Sequence, residues 1–359
     1  MISDRLREIA RCPQCRGRLD DGSAGELRCP ACGRTRAADG GYLDLRPDTA
    51  FDEQTKYLDH ALHADARHET VSPPLLTAGV KHWMLRTLLD VGPEDRVLDL
   101  GCGSGRVLVW DRGRAGHAVG IDVSPYFAAE ALEHVDLALG DLRQLPFDAD
   151  TFTTAYALDV FEHMSRPALE AVLREAGRVL APGGRLFAYS HVRRNSRLAL
   201  GLRWINALGA WLDRRGVIDT AQERLRKSDH VNPLATIDEL RAVGAQAGFR
   251  LARIRYYTPL LGAFVENIVM RIAERLLTGR VARRLPARAS AGGPEGDAAR
   301  RTTRAAAKQR IAARGPTYLA LQALTWLIRL DVLLFGRVRS GPYFALFVKD
   351  GDPPPNPGA

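Results

Sequence analysis

Cysteine is sparse in this chain: five in 359 residues, four of them within the first 32. A secreted disulfide framework would distribute them differently, so the usage points to a reducing cytoplasm. A secretory leader is not expected either, because Asp4, Arg5, Arg7 and Glu8 break up the first ten residues. Neither of the two apolar insertions reads as a membrane span; in the more carboxyl-terminal one the longest uncharged run is Pro316 to Ile328, thirteen residues, before Arg329 and Asp331 interrupt it. No G-x-x-x-x-G-K-[ST] loop occurs, which leaves ATP hydrolysis without a motif. Acidic residues are scarce in one place only. Residues 279–316 hold ten basic residues against Glu295 and Asp297, and with them eight of the nine net positive charges. Basicity so confined belongs to one segment, not to a nucleic-acid-binding face of the whole fold.

The most informative stretch that is present runs Val-Leu-Asp-Leu-Gly-Cys-Gly-Ser-Gly-Arg over residues 97–106. An apolar pair, an acid and glycines at 101, 103 and 105 describe a buried strand turning into a helix, with a backbone that a ligand can approach closely. Asp122 follows Gly105 by 17 residues, at the end of a second apolar run, where a ribose-binding acid belongs in a nucleotide-binding βαβ unit. A dinucleotide fingerprint would need glycine where Arg106 stands. The pattern therefore favours a ligand with adenosine but no pyrophosphate.

On VLDLGCGSG (97–105), GIDVS (120–124), GDLRQLPFDADTFTTAYALDVFEH (140–163), RVLAPGGRLF (178–187) and AGF (247–249), the chain resembles a class I S-adenosylmethionine-dependent methyltransferase of the type 11 kind. Apolar runs and their spacing place strands near 96–100, 117–121, 135–139, 152–158, 184–190, 250–257 and 343–348, with helices between the first six; the resemblance implies that they form an α/β doubly wound, seven-stranded Rossmann-like sheet with the last strand inserted antiparallel beside the sixth. It implies S-adenosyl-L-methionine as cofactor, held by Asp99, Gly101, Cys102, Gly103, Gly105, Asp122, Val123, Asp141, Leu142 and Asp159. Of these, Asp122 is expected on the ribose hydroxyls and Asp141 on the adenine amino group, with an ordinary turn aspartate as the alternative for Asp141. Glu162, His163 and His191 are the catalytic candidates on the substrate side; either histidine could act as general base for a hydroxyl acceptor, and His230 is a possible substrate contact. Pro182-Gly183-Gly184 reads as a turn before the fifth strand.

Ahead of this domain, Cys12-Pro-Gln-Cys15 and Cys29-Pro-Ala-Cys32 lie thirteen residues apart, the spacing of two knuckles that close a tetrahedral thiolate site around structural zinc. The segment resembles the zinc ribbon of small tRNA-methyltransferase activator proteins. The expected organisation is a ribbon at 1–50, a linker and helix at 51–92, a core at 93–257 with a helical insertion at 191–233, a helical and basic insertion at 258–341, a last strand at 342–350 and a disordered tail at 351–359.

Both insertions follow strands five and six, at the edge where open α/β sheets bind ligands. Their apolar helices, 198–212 and within 259–336, are expected to form a lid or to sit on an anionic membrane surface, the basic segment aiding the latter; packing on the domain as extra core, with a disordered basic loop between, and an oligomer interface are the alternatives. The expected function is methyl transfer to a small or lipid-linked acceptor (quinone, isoprenoid or glycan type) by a cytoplasmic enzyme, peripheral at the inner face of the membrane. The alternative is an RNA base methyltransferase gripping its substrate through ribbon and basic loop. Against it, the rest of the chain is nearly neutral and no Asn-Pro-Pro-Tyr-type tetrapeptide occurs. A non-catalytic scaffold fits poorly with an intact glycine loop and both acids.

Overall fold

The structure, a computed structural model, describes residues 2–23, 25–38, 40–48, 71–193, 200–218, 230–257, 260–272 and 315–351. The expected linker at 51–70, most of the basic segment and the tail beyond 351 lie outside the described residues.

The amino-terminal ribbon comprises α1 (Asp4–Ile9), a small antiparallel sheet of β1 (Asp20–Asp21), β2 (Glu26–Arg28) and β3 (Thr35–Ala37), and β4 (Leu43–Asp44). The rest of the chain supplies, in order, α2 (Leu76–Leu89), β5 (Arg96–Leu100), α3 (Arg106–Trp110), β6 (His117–Asp122), α4 (Ala129–His134), β7 (Asp136–Leu139), β8 (Phe152–Leu158), α5 (Arg166–Val179), β9 (Leu180–His191), α6 (Leu200–Arg214), α7 (Ile237–Gln246), β10 (Phe249–Tyr256), α8 (Leu261–Phe264), α9 (Pro316–Phe335) and β11 (Pro342–Lys349).

These strands form one sheet in the order β10-β11-β9-β8-β5-β6-β7-β4. β11 runs antiparallel between β10 and β9, as the resemblance implied, and the other pairings are parallel. The central strands read as continuous apolar runs because helices cover both faces. On one face Leu169 of α5, Leu240 of α7 and Leu6 of α1 pack over Leu98 and Phe249. On the other, Val80 of α2, Leu108 of α3 and Ile328 of α9 pack over Val97 and Phe344.

Three local expectations are corrected. The sheet has eight strands rather than seven, because Leu43 and Asp44 of the ribbon pair with Ala138 and Leu139 at its edge. No regular helix joins β7 to β8: Leu142–Gln144 form a single 3₁₀ turn, which Pro146 two residues later keeps short. Pro182-Gly183-Gly184 is not a turn preceding the strand but lies inside β9, where the pairing register with β8 shifts.

The ribbon is not loosely hung. Leu6, Ala10, Leu43 and Leu45 are fully or almost fully buried in the same cluster as Ile121 and Phe147. At about 1.5–3 kcal/mol for each fully buried leucine, this interface is part of the core. Ser3 caps α1 by accepting from Leu6 N–H, and its own backbone N–H donates to Asp136 Oδ1 on β7 at 2.9 Å.

Helix α9 turns a mixed face inward, with Ile328 and Val332 buried beside polar residues. Thr325 Oγ1 accepts from Leu76 N–H at 2.7 Å, Arg329 Nη2 donates to Gly79 O at 3.3 Å, and buried Asp331 accepts from Gly262 N–H at 2.9 Å. Apolar residues also cover its outer face: Leu319, Trp326, Leu333 and Leu334 are each 60–67 % exposed. On α6, Leu200 and Trp204 are exposed likewise.

Candidate functional site

The loop after β5 is built by close packing on one side and open space on the other. Gly101, Gly103 and Gly105 all have positive φ, at 74°, 55° and 75°. A Cβ on Gly101 would stand 2.6 Å from Val160 Cγ2 and one on Gly105 2.8 Å from Ala131 Cβ, whereas one on Gly103 would meet nothing within 4 Å. Packing therefore demands the outer two glycines, while the middle one presents bare backbone to an empty volume.

Asp122, at the end of β6, secures this loop. Its Oδ2 accepts from Gly103 N–H at 2.8 Å and its Oδ1 from Ser124 N–H at 2.9 Å. Burial pushes the carboxyl up, while the N–H groups of Ser124, Gly103 and Val123 oppose that shift. Each oxygen keeps acceptor capacity for a ligand hydroxyl. Asp99, one residue before the end of β5, is buried with the Tyr156 hydroxyl against it; burial raises its carboxyl well above the usual carboxylate range. The Cys102 side chain is buried against the Cα side of Gly120, so only its backbone can face a ligand. Asp141 caps the 3₁₀ turn by accepting from Arg143 N–H at 2.9 Å and takes the Arg143 guanidinium at 2.7 Å; Leu142 beside it is buried.

Beyond the glycine loop, the carboxyl ends of β8 and β9 bring a second group together. Asp159 sits just past β8 with φ 58°, its two oxygens 2.7 and 2.6 Å from Lys81 Nζ of α2. The same ammonium lies 4.0 Å from the centre of the Tyr189 ring. Glu162 is 1 % exposed; its Oε2 accepts from Ser190 Oγ at 2.7 Å, and its Oε1 lies 3.4 Å from His191 Nδ1. Burial alone would raise this carboxyl, but the His191 imidazole and the Ser190 hydroxyl outweigh it and hold it at about 2. His163 and His230 stand edge to face with centroids 4.7 Å apart, and His230 is 5.8 Å from His191.

The three catalytic candidates of the sequence thus meet, and His230, from the far end of an insertion, joins them. Lys81, Tyr189 and Ser190 went unrecognised. Lys81 lies in a helix whose apolar spacing announces only packing, and no local pattern ties it to Asp159.

The four ribbon cysteines are free thiols whose sulfurs lie together, Cys12 Sγ 3.7 Å from Cys32 Sγ and Cys15 Sγ 3.5 Å from Cys29 Sγ. Four sulfurs at about 2.3 Å from one tetrahedral ion stand about 3.8 Å apart; the two close pairs match that spacing, and all four sulfurs lie within 4.8 Å of one another. Gly17 makes room for it: a Cβ there would lie 3.1 Å from Cys29 Sγ.

Comparison with known proteins agrees with this geometry. Residues 97–184 match the family described as a methyltransferase domain, and residues 3–35 the Trm112p-like proteins. Methyltransferase GfsG of Streptomyces halstedii is 37 % identical over 124 residues, 32 % of this chain and 44 % of that protein. The 24-methylenesterol C-methyltransferase 2 of Arabidopsis thaliana is 33 % identical over 118 residues, 29 % of this chain and 31 % of that one. The chain thus spans less than half the length of these curated relatives. A solved complex between the Haloferax volcanii Trm112 methyltransferase activator and a methyltransferase aligns with 83 % of this chain and 100 % of that one, at 16 % identity and a TM-score of 0.43. Residues 97–184 are a class I S-adenosylmethionine-dependent methyltransferase domain, carried behind a Trm112p-like ribbon.

Proposed function

We propose that this chain transfers a methyl group from S-adenosylmethionine to an amphiphilic, lipid-linked acceptor while resting on an anionic membrane surface from the cytoplasmic side. The observation that carries the acceptor class is a second apolar face left uncovered on α9: Ile328 and Val332 are buried in the domain beside Thr325 and Asp331, while Trp326 and Leu333 stand out at 60 % and 65 % exposure. A soluble helix with no partner hides its apolar side. Here α9 buries Ile328 and Val332 yet leaves Leu319, Trp326, Leu333 and Leu334 facing outward, with Trp204 and Trp211 on α6. Both helices follow strands whose carboxyl ends border the site. Aromatic and aliphatic side chains so placed suit the headgroup region of a bilayer, and the basic residues of 279–316 would add about 1 kcal/mol each near an anionic surface.

Within the site, the cofactor would lie against the bare backbone at Gly103, with Asp122 accepting from its ribose hydroxyls and Val123 beside it. Asp99, Gly101, Cys102, Gly105 and Leu142 would shape that cradle. Asp141 would reach the adenine only by sharing its carboxylate with Arg143. When bound, the sulfonium supplies an activated methyl group for in-line displacement. His191, at the end of β9, would serve as base for a hydroxyl acceptor. Zinc in the cysteine tetrad would be structural, because four thiolates leave no open position.

The test is sedimentation with vesicles of neutral phosphatidylcholine and of phosphatidylcholine with phosphatidylglycerol. Wild-type protein should pellet with the anionic vesicles, and a Trp326→Ser, Leu333→Ser, Leu334→Ser variant should remain in the supernatant with unchanged cofactor affinity. Equal behaviour of the two proteins would sink the membrane reading. Salt-sensitive retention of RNA instead would favour a nucleic-acid substrate.

A further inference from the structure

The cluster at the ends of β8 and β9 carries more than a general base. One donor atom from each of Glu162, His163 and His230 lies within 4.8 Å of the others. Two donors held at about 2.1 Å by one ion are separated by at most about 4.2 Å, so movements of about 0.3 Å per side chain would close the set. Glu162 brings a second sign of a ligand: its Oε1 is fully buried with no hydrogen-bond partner, although Oε2 is anchored to Ser190 Oγ at 2.7 Å. A buried carboxylate oxygen left without a donor is costly unless something positive meets it. His191 Nδ1 meets it at ion-pair distance, 3.4 Å, without hydrogen-bond geometry. The second segment is tied to the first, since Asn232 N–H donates to Glu162 O at 2.9 Å and so fixes His230 two residues earlier in the chain beside His163.

We propose that Glu162, His163 and His230 bind a divalent first-row transition-metal ion, and that this ion grips an oxygen of the methyl acceptor. Two imidazoles and one carboxylate favour iron, cobalt, manganese or zinc over magnesium or calcium. Three protein ligands leave positions open for the acceptor, unlike the closed cysteine tetrad. The assignment rests on the methyltransferase reading above and sharpens it: the acceptor is a hydroxyl, or a pair of neighbouring hydroxyls, rather than a carbon or a sulfur. Coordination would lower the hydroxyl pKa, as it does for metal-bound water. The hydroxyl proton passes to His191, an oxygen lone pair forms the new O–CH3 bond, and the C–S bond breaks with its electron pair remaining on sulfur as the neutral thioether.

The experiment uses the full-length chain with one equivalent of zinc supplied for the ribbon. Mn(II) is titrated in and followed by loss of the free-ion paramagnetic resonance signal, with Co(II) in parallel by its visible absorption, while calorimetry reads S-adenosylmethionine binding. Wild-type protein should take up one further ion per chain. Glu162→Gln, His163→Ala and His230→Ala should each weaken that uptake at least tenfold with cofactor affinity retained. Cofactor affinity is the fold control, and His230, outside the sheet, is the variant least exposed to misfolding. If wild-type protein takes up neither ion beyond the ribbon, or all variants that still bind cofactor take them up undiminished, the site does not exist. Loss of cofactor binding by the wild type, with the ion still bound, would count against the methyltransferase reading alone.

Discussion

Lys81 and Asp159 are 78 residues apart in sequence, yet the ammonium of one lies within 2.7 Å of both carboxylate oxygens of the other. The pair ties helix α2 to the turn that ends β8, between the glycine loop and the Glu162 cluster. Asp159 is held there in a left-handed backbone conformation that aspartate tolerates and β-branched residues do not.

Removing the ammonium should therefore expose a coupling. Lys81→Met keeps the alkyl stem but leaves Asp159 without its counter-charge, an expected loss of about 1–2 kcal/mol, kept small because that carboxylate is over a third exposed. Asp159→Asn keeps the backbone conformation. In urea unfolding the double variant should be less destabilised than the two single losses summed. Strict additivity would show that the contact contributes nothing.

The sequence made the sheet legible because its central strands are short apolar runs bounded by turns, and β5 and β8 fall where those runs predict. The glycine loop and Asp122 were legible for a related reason: both lie within one strand-turn-helix unit, where spacing fixes geometry. What stayed hidden depends on long-range pairing. Two residues, Leu43 and Asp44, suffice to add a strand to an edge 95 residues further on, and no periodicity marks so short a segment. Gln322, Thr325 and Arg329 stand three and four apart in the sequence, a polar stripe on α9, but nothing in that spacing marks Thr325 for burial against Leu76. His230 and Glu162 likewise come together only through the fold.

The three loop glycines should separate by mechanism. Gly103→Arg meets open space but sets a side chain at φ 55°, so it should cost about 1–2 kcal/mol of stability, leave the protein folded, and show no S-adenosylmethionine binding by calorimetry. Gly101→Ala puts a Cβ against Val160 at 2.6 Å and a side chain at φ 74°, so it should cost stability first, by about 1–3 kcal/mol. If Gly103→Arg still binds the cofactor, the site is misplaced.

The ribbon should not behave as a separable domain. Cys12→Ser should release the metal, detected with a chromogenic chelator after denaturation. Because Leu6, Leu43 and Leu45 share one cluster with Ile121 and Phe147, it should also lower the melting temperature of the whole chain in a single transition. Deleting residues 1–48 should expose the edge of β7 and yield aggregation-prone protein. Two independent calorimetric transitions in the wild type would contradict this coupling.

Acid should loosen the same junction. Asp136, buried on β7, accepts from Ser3 N–H at 2.9 Å and stands 2.7 Å from His117 Nε2. Burial by itself would raise its carboxyl, but the contacts with His117 and Ser3 outweigh it, and its pKa is held below the ordinary value. A carboxyl depressed in the folded state contributes stability that is fully present above its unfolded value of about 3.9 and is lost as pH falls through the lower folded value. Asp136→Asn should therefore be destabilised relative to wild type at neutral pH, with the gap narrowing below about pH 4 as the wild-type carboxylate takes up its proton. Chemical unfolding across that range, followed by tryptophan fluorescence, gives the difference directly. A gap that widens toward acid would reverse the sign and show that Asp136 is protonated, not ionised, where Ser3 and His117 hold it.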